Sequence, residues 1–393
     1  MTEHPIGVGV IGAGWLGDVH ARAWGRLRHH YPELGVRPQL VAVADSVENA
    51  TATATAKHGY ARAYSDWRDL LADDEVDVVS VTAPNALHRE IGEAVARAGK
   101  HLWIEKPVGL GAADAIAVRD AVAAAGVQAT VGFNYRAVPA ATELARLVAD
   151  GAIGTPTHAR VRLFSDYAAH PLGLHTWRYS LAAGGHGVLG DLASHAVDLT
   201  RFVLGDLARV VAETAVFIPQ RPLPDPGAAS YGHGIGSAEA EHAVVENEDF
   251  VSALARTVDD VLVVIECSRV ATGDQNNYGI EVHGTSGLVS WDFRTPGELA
   301  LSAGTEYANQ TTARLLVGPG AGDYGRFQPG AGIAMSYDDT KVIELAGLVR
   351  SIKTGTPEGP VLADAVAAAR ALEAMVESSE TMAWVQLHEA KEN

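Results

Sequence analysis

The sequence predicts an α/β protein in which a doubly wound parallel sheet is followed by a second α/β domain with a large, mostly antiparallel open sheet. In the first 150 residues, short continuous apolar runs alternate with alanine-rich helical segments, as in parallel sheets covered on both faces. After Asp150 the strands become longer and alternate in polarity, which is typical of an antiparallel sheet with one covered face. We therefore expect domains at 1–150 and 151–393.

The elements of the first domain follow from this alternation. Runs of four to seven residues, rich in valine and isoleucine, are each separated by a segment with helical character. Strand–helix alternation of this kind indicates a doubly wound parallel sheet. The predicted strands lie at 7–12, 39–44, 77–83, 100–105 and 128–133, and the clearest helices at 86–98 and 111–125.

The second domain is predicted from strands separated by turn signals such as Gly-Thr-Ser-Gly at 284–287. The stretch 219–247 is rich in proline and glycine, and we interpret it as a long loop that forms a lid or a subunit arm. The predicted strands lie at 157–167, 249–260, 261–271, 278–284 and 288–293.

Composition excludes several classes of protein. With 393 residues, 47% of them hydrophobic, the chain can form large cores. A net charge of −18 without a basic stripe disfavours nucleic acid as a partner. The absence of a long apolar run or a signal-peptide pattern predicts a cytoplasmic protein without a membrane span. The single cysteine, Cys267, excludes an internal disulfide and fits a buried apolar position.

A glycine-rich motif indicates dinucleotide binding. Residues 12–17, Gly-Ala-Gly-Trp-Leu-Gly, follow the first strand and precede a helix, which is the context that G-x-G-x-x-G requires. Gly12 permits the tight turn, Gly14 lets the backbone approach a pyrophosphate, and Gly17 lets helix and sheet pack closely. The helix N-terminus favours phosphate binding. The first domain is therefore predicted to be a Rossmann domain.

The second predicted strand ends in an acidic residue, Asp45, followed by Ser46. It lies further from the glycines than the usual ~20 residues, which the insertion at 31–38 explains. A carboxylate there accepts hydrogen bonds from the adenosine ribose hydroxyls and repels a 2′-phosphate. The sequence thus favours NAD over NADP as cofactor.

Two further elements carry potential chemistry. Lys106 follows the strand at 100–105, where it could stabilise a developing alkoxide, although a surface lysine before a proline turn gives the same pattern. A helix is predicted from the apolar stripe of Leu192, Ala196, Leu199 and Val203. Asp191 and His195 are four residues apart in this helix, which places both on one face. Histidine suits proton removal near neutral pH. By spacing alone, a structural pair is as plausible as a catalytic one, and Asp198 could also cap or pair with His195.

Together these segments resemble the glucose–fructose oxidoreductase / inositol dehydrogenase / rhizopine catabolism (Gfo/Idh/MocA) family. The resemblance extends over nearly the whole chain, through GAGWLG, VTAPNALH, EKP, GFNYR and GDLASHAVD. It implies that Lys106, Asp191 and His195 form the catalytic group of a dehydrogenase. It also implies a C-terminal sheet through which relatives often form dimers or tetramers, so we expect a homodimer or homotetramer.

Within the family the chain resembles dehydrogenases of pyranose sugars and anhydrosugars, the levoglucosan type. This implies hydride transfer from a secondary hydroxyl of a sugar, anhydrosugar or polyol to the nicotinamide. Residues expected to bind the cofactor are Gly12, Gly14, Trp15, Leu16, Asp45, Ser46, Thr82, Pro84, Asn85, His88, Glu105, Lys106 and Asn134. Residues expected to bind the substrate are Tyr135, Arg136, Trp177, Arg178, Asp191, His195 and Tyr337.

Two other functions remain open at this point. One is an NADP(H)-dependent carbonyl reductase, which Asp45 disfavours. The other is a non-catalytic cofactor-sensing regulator, which would not need Lys106, Asp191 and His195. No metal is expected, because the spacing of His170, His175, His186 and His195 matches no short metal-binding motif; His170 and His175 could instead contact substrate or lie in solvated loops.

Overall fold

The structure, a computed structural model, describes residues 4–225 and 234–387. The chain divides into two units. The first comprises Met1–Ala137 and Met335–Val366, and the second comprises Val138–Ala334 and Ala367–Asn393. The first unit is therefore discontinuous in sequence.

The first unit contains a six-stranded, entirely parallel sheet. Its strand order, β3-β2-β1-β4-β5-β6, is that of the Rossmann fold. The four residues of β4 are all buried, as expected for a strand with helices on both faces. The strands are β1 (His4–Ile11), β2 (Val36–Ala44), β3 (Arg62–Tyr64), β4 (Val78–Val81), β5 (His101–Ile104) and β6 (Ala129–Val131).

Helices connect these strands, and one helix comes from far along the chain. Alanine-rich α5 ends at Gly126 in the left-handed conformation, a common helix stop. Helix α9 begins with a capping box formed by Ser336 and Asp339, and it packs against α1. The helices are α1 (Trp15–His30), α2 (Glu48–His58), α3 (Trp67–Leu71), α4 (His88–Arg97), α5 (Ala112–Ala125), α6 (Pro139–Ala149), α7 (Leu181–Gly184), α8 (Ser194–Leu204), α9 (Tyr337–Thr354) and α10 (Leu362–Thr381).

The second unit contains a nine-stranded sheet in which all neighbours are antiparallel except β7 and β12. Strand β11 alternates strictly between half-buried and buried residues, so one face of the sheet is covered and the other is more open. The strands run in the order β16-β15-β14-β13-β7-β12-β11-β8-β17, and β9 pairs with β10 separately. They are β7 (Pro156–Phe164), β8 (Leu207–Ala215), β9 (Gln220–Pro222), β10 (His242–Val244), β11 (Phe250–Thr257), β12 (Leu262–Ser268), β13 (Asn277–Gly284), β14 (Gly287–Asp292), β15 (Glu298–Ala303), β16 (Ala313–Leu316) and β17 (Val385–Gln386).

The fold class is confirmed, with local differences. Strand β3 was not predicted, because Arg62–Tyr64 is not part of an apolar run rich in valine and isoleucine. The stretch 219–247 is not simply a loop, since β9 and β10 pair within it; its residues 226–233 lie outside the described part. Cys267 is fully buried, as predicted, and burial raises its thiol pKa.

The two units differ from the predicted domains at 1–150 and 151–393. Helix α6 belongs to the second unit, and Met335–Val366, with α9, belongs to the first. The change near Gly151 from short apolar runs to longer, alternating strands marks the start of the second sheet. The sequence pattern of α9, in contrast, does not reveal which hydrophobic core the helix joins. Among the described residues, no helix is long and apolar enough to cross a membrane.

Candidate active site

The glycine-rich turn after β1 has the geometry that its motif predicts. Gly12 adopts a φ of +98°, and a Cβ there would lie 2.7 Å from the carbonyl carbon of Thr82. A Cβ on Gly17 would lie 2.1 Å from the carbonyl oxygen of Gly12. Both positions therefore require glycine, one for its conformation and the other for the close approach of helix and strand.

Gly14 differs from these two glycines, since a Cβ there would meet nothing within 4 Å. The open space lies at the N-terminus of α1, where helix dipole and backbone N–H groups favour phosphate. At the end of β2, the Asp45 carboxylate accepts hydrogen bonds from the backbone N–H groups of Ala13 at 2.8 Å and Val47 at 2.9 Å. Asp45 is thereby held beside the glycine-rich turn. The residues fit a dinucleotide.

The turn after β4 is hydrogen-bonded to the glycine-rich turn and, through His88, to the turn after β5. The Thr82 hydroxyl donates to the carbonyl oxygen of Gly12 at 2.7 Å. Pro84 and Asn85 begin a short 3-10 turn that leads into α4. The two ring nitrogens of buried His88 each lie 2.7 Å from a carbonyl oxygen, those of Ala83 and Pro107. The imidazole of His88 therefore connects the turn after β4, which contains Ala83, with the turn after β5, which contains Pro107.

Glu105, at the end of β5, is the centre of a buried ionic cluster. Its Oε1 atom lies 2.5 Å from Nζ of Lys341 and 2.9 Å from Nε2 of His20. Lys341 also lies 3.1 Å from Oε1 of Glu344, which accepts a hydrogen bond from Trp103 at 2.6 Å. A Cβ on Gly132 would lie 2.3 Å from the Glu105 carboxylate, so the glycine leaves room for it.

Burial and charge shift the pKa values in this cluster in different directions. Burial lowers the pKa of His20 to about 4 and raises that of Glu344 to about 7. Burial would also raise the pKa of Glu105, but the charge of Lys341 and the hydrogen bond with His20 lower it below its usual range. Glu105 is thus an ionised carboxylate paired with the Lys341 ammonium.

Lys106 lies two residues after the end of β5, and Asn134 lies three residues after the end of β6. Lys106 is half-buried, immediately after the Glu105 cluster. Asn134 is fully buried, and its amide nitrogen donates to the hydroxyl of Thr340 in α9 at 2.8 Å. Its Oδ1 atom has no hydrogen-bond partner within the described residues. A buried acceptor of this kind suits a cofactor amide.

Three aromatic side chains from separate segments of the first unit form one surface. The rings of Trp15 and Tyr337 lie 5.6 Å apart, and those of Tyr135 and Tyr337 lie 6.4 Å apart. Trp15 is 66% exposed. The guanidinium of Arg136 pairs with Asp364 at 3.1 Å, so this predicted substrate contact also has an intramolecular partner.

Asp191 and His195 lie in one continuous helical segment of the second unit. Residues Leu189–Ala193 form a π-helical turn that passes directly into α8. Wide turns of this kind occur frequently at functional sites. Asp191 is half-buried, whereas His195 is only 7% exposed.

The π-helical turn corrects the prediction of a regular amphipathic helix. Four residues span close to one turn of a π-helix, as they do of an α-helix, so the spacing of Asp191 and His195 still fits a single face. The predicted narrow apolar stripe is not found, because every residue from Ser194 to Thr200 is buried and Val203 is only half-buried. The reason is that α8 packs against α6, β7 and β12.

Two tyrosines that the sequence did not indicate contact this segment. The hydroxyl of Tyr167, just after β7, donates to Oδ2 of Asp191 at 2.6 Å. The hydroxyl of Tyr278, in β13, donates to the backbone carbonyl oxygen of His195 at 2.7 Å. Neither tyrosine belongs to a motif, and both are far from residues 191–195 in sequence, so no local pattern could have revealed them.

The remaining predicted substrate residues, Trp177 and Arg178, stack on each other with the guanidinium 4.4 Å from a ring centroid. His170 accepts a hydrogen bond from the backbone of Leu172, and His175 lies 3.1 Å from the carbonyl oxygen of Val244. Throughout 4–225 and 234–387, no group of three or more His, Cys, Asp or Glu side chains has an arrangement that could hold a metal ion.

Family models match both parts of the chain. Residues 6–133 match the oxidoreductase family with an NAD-binding Rossmann fold. Residues 141–290 match the GFO/IDH/MocA C-terminal domain. Together the two matches include Lys106, Asp191 and His195.

Individual relatives extend the similarity. The chain is 30% identical to levoglucosan dehydrogenase of Pseudarthrobacter phenanthrenivorans over 97% of this chain and 98% of the relative. It is 28% identical to inositol 2-dehydrogenase of Rhizobium meliloti over 76% and 79% of the two chains. Among solved structures, levoglucosan dehydrogenase in complex with NADH and levoglucosan matches with a TM-score of 0.90 and 29% identity, covering 98% of this chain and all (100%) of the other. An NAD-binding oxidoreductase from Klebsiella pneumoniae matches with a TM-score of 0.89 and 33% identity over the same shares.

Proposed function

Because the chain belongs to the Gfo/Idh/MocA family of NAD-binding oxidoreductases, we propose that it oxidises a secondary hydroxyl of a pyranose sugar or anhydrosugar with NAD. The observation that carries the proposal is the segment 187–195. The segment contains Asp191 and His195 in one helical run. The half-buried Tyr167 donates a hydrogen bond to the Asp191 carboxylate, and the buried Tyr278 donates one to the carbonyl oxygen of His195. The similarity to a levoglucosan dehydrogenase over nearly the full length of both chains supports the substrate class.

Three residues have distinct roles in the proposed reaction. His195 accepts the hydroxyl proton, since an imidazole is the side chain best suited to proton removal near neutral pH. Asp191 orients His195 or accepts a hydrogen bond from a neighbouring sugar hydroxyl. Lys106 binds the reacting oxygen and stabilises the negative charge that develops as the proton leaves. NAD, when bound, supplies the nicotinamide ring that takes up the hydride.

The first unit supplies the features that favour NAD. Gly12 and Gly14 would accommodate the pyrophosphate, and Asp45 would bind the adenosine ribose. The Asp45 carboxylate would also repel a 2′-phosphate, which supports NAD over NADP. Trp15, Leu16, Ser46, Thr82, Pro84, Asn85, Glu105 and Asn134 complete the proposed cofactor site, with His88 acting through the two turns that it joins.

The substrate would contact aromatic and basic side chains. Tyr135 and Tyr337 form a surface on which the apolar face of a pyranose can stack. Trp177 offers a second aromatic face, and Arg136 and Arg178 can donate to sugar hydroxyls. We also propose that the more open face of the nine-stranded sheet is covered in a homodimer or homotetramer.

A second candidate function is the reverse reaction, in which the protein reduces a carbonyl group, and one observation supports it. The chain is 31% identical over 284 residues to 1,5-anhydro-D-fructose reductase of Ensifer adhaerens, which is named for carbonyl reduction. The same residues would act in that direction, with His195 returning the proton to the oxygen.

The proposal is tested by following NADH absorbance in the near ultraviolet. The purified protein is given NAD or NADP with a panel of pyranoses, anhydrosugars and polyols, and in parallel NADH or NADPH with anhydroketoses. Production of NADH with one pyranose class is the expected result. Turnover only of carbonyl substrates would establish the reductase direction. Tight cofactor binding without turnover in either direction would overturn the proposal and indicate a sensor.

A further inference from the structure

The contact between Tyr167 and Asp191 joins the proposed catalytic segment to a part of the chain that carries no motif. The tyrosine hydroxyl donates to Oδ2 of Asp191 at 2.6 Å, a length typical of a charge-assisted O–H···O⁻ bond. Burial and the charge of Asp191 raise the pKa of Tyr167 well above its usual value, so the hydroxyl remains a donor. A donor directed at a carboxylate favours the ionised form of the acid.

The backbone forms hydrogen bonds both before and after Tyr167 in the sequence. Ser165 donates to the carbonyl oxygen of Ser268 at 2.8 Å, and Ala168 donates to that of Arg269 at 3.0 Å. The Arg221 guanidinium donates to the carbonyl oxygen of Ala168 at 2.5 Å. These bonds continue the pairing of β7 with β12 past the end of both strands, so the segment that carries Tyr167 has little freedom to shift.

Two buried arginines hold this segment. Arg221 is fully buried, and Arg269 is buried and paired with Asp249 at 2.8 Å. Their guanidinium carbons lie 4.3 Å and 4.8 Å from the ring centroid of Tyr179, which packs in the same small cluster as Tyr167. Displacing either arginine would leave a buried charge without its partners, which is energetically costly. The arginines therefore make the position of Tyr167 rigid.

Asp191 is fixed from its own side by the residues before it. Its backbone N–H donates to Gly187 at 3.0 Å within the wide turn. Glu248 receives two bonds from the start of that turn, from the N–H groups of Val188 at 2.9 Å and Leu189 at 2.9 Å. With both backbones held, the hydrogen bond from the hydroxyl of Tyr167 helps to fix the orientation of the carboxylate.

We infer that Tyr167 is a positioning residue for Asp191: it fixes the carboxylate and keeps it ionised for the reaction. Its catalytic consequence rests on the proposed function, whereas the bond itself can be measured without turnover. Among the described residues of the second unit, Arg269 and Tyr179 act electrostatically on Tyr167. Asp249 is the ion-pair partner of Arg269, Glu248 accepts a hydrogen bond from the start of the wide turn, and His195 follows Asp191 by four residues.

The first test measures the bond through stability. Tyr167→Phe removes only the hydroxyl, and its shift in denaturation midpoint is compared in the wild-type and Asp191→Ala backgrounds. We expect a clear loss in the wild-type background and almost none when Asp191 is absent. Tyr324→Phe is the matched control, because that hydroxyl donates to the carbonyl oxygens of Gly330 and Ile333. Its shift should be the same in both backgrounds. Equal shifts for Tyr167→Phe would overturn the inference.

The second test is kinetic and distinguishes positioning from a purely structural bond. In Tyr167→Phe we expect kcat to fall about tenfold with the KM for NAD unchanged, and the acid limb of the kcat/KM profile to move to higher pH. The limb moves upward because the carboxylate loses a donor that favours its ionised form. Coupled stability with an unchanged pH profile would show a structural contact only and overturn the positioning role. Failure of the wild-type protein to oxidise any substrate would instead overturn the proposed function, and with it the role of Tyr167 in that reaction.

Discussion

Lys341 and Glu105 form a buried ion pair, with Nζ 2.5 Å from Oε1, across 236 positions of sequence. Glu105 directly precedes Lys106, and Lys341 lies one helical turn after Tyr337. The pair therefore links the end of β5 to the start of α9 at the two points where the first unit carries residues proposed for the reaction.

Lys341→Met should be strongly destabilising, because it leaves the Glu105 carboxylate buried without its cation. We expect the free energy of unfolding to fall by about 3–5 kcal/mol. The measurement is chemical denaturation of the full chain. Lys100→Met is the matched control, since among the described residues buried Lys100 donates to the backbone carbonyl oxygens of Asp73 and Val76 and to no carboxylate. Its replacement should cost about 1–3 kcal/mol. Equal losses in the two variants would contradict the importance of the ion pair.

Glu344→Gln should make the protein more stable in alkaline solution. The pKa of Glu344 is raised from 4.5 to about 7, so its favourable contribution is complete below the unfolded value and is lost as pH rises through about 7. Glutamine retains the acceptor for Trp103 and Lys341 without ionising. The variant should exceed the wild type by about 2–3 kcal/mol at about pH 9 and by little at about pH 5. Exposed Glu48, changed to Gln, should show no such pH-dependent gain.

Gly14→Ala should weaken NADH binding, whereas Gly17→Ala should lower the stability of the protein. A Cβ at Gly14 has open space, so the variant should fold with nearly unchanged stability but bind NADH at least about tenfold more weakly. A Cβ at Gly17 lies 2.1 Å from a carbonyl oxygen, which should cost about 1–3 kcal/mol of stability. Thermal melts and NADH fluorescence titrations separate the two effects. Wild-type NADH affinity in Gly14→Ala would contradict the proposed pyrophosphate position.

Lys106→Ala should lower kcat by about 10²–10³-fold while the affinity for NAD changes little. The lysine is proposed to stabilise charge that appears only as the hydroxyl proton leaves, so its removal should affect turnover far more than any contact that Lys106 also makes with the cofactor. Steady-state kinetics and NADH titration give the two values. Turnover near that of the wild type would exclude this role for Lys106.

Local sequence patterns predicted the elements whose signals are local. The turn at 12–17, the buried run of β4 and the alternating run of β11 each carry a period or a spacing that identifies them. Gly12 and Gly17 could be predicted because only glycine fits a positive φ or a close backbone contact.

Features that depend on distant partners were not predictable in this way. The helical residues Lys341 and Glu344 form an ordinary i,i+3 pair in the sequence, and nothing there shows that both become buried against β5. No local pattern distinguishes Tyr167, and its partner Asp191 is 24 positions away. The π-helical turn at Asp191 also has no sequence pattern that identifies it.

The return of residues 335–366 to the first unit has a consequence for biosynthesis. Glu105 is added to the growing chain 236 residues before its cation Lys341, a delay of roughly 10–50 s at ordinary translation rates. During this time the Glu105 carboxylate of the nascent Rossmann half lacks its ion-pair partner, while the intervening second unit is synthesised and can fold. An N-terminal fragment ended at residue 150 would lack this cation permanently, so an independently folding cofactor half requires residues 335–366 joined to residues 1–137.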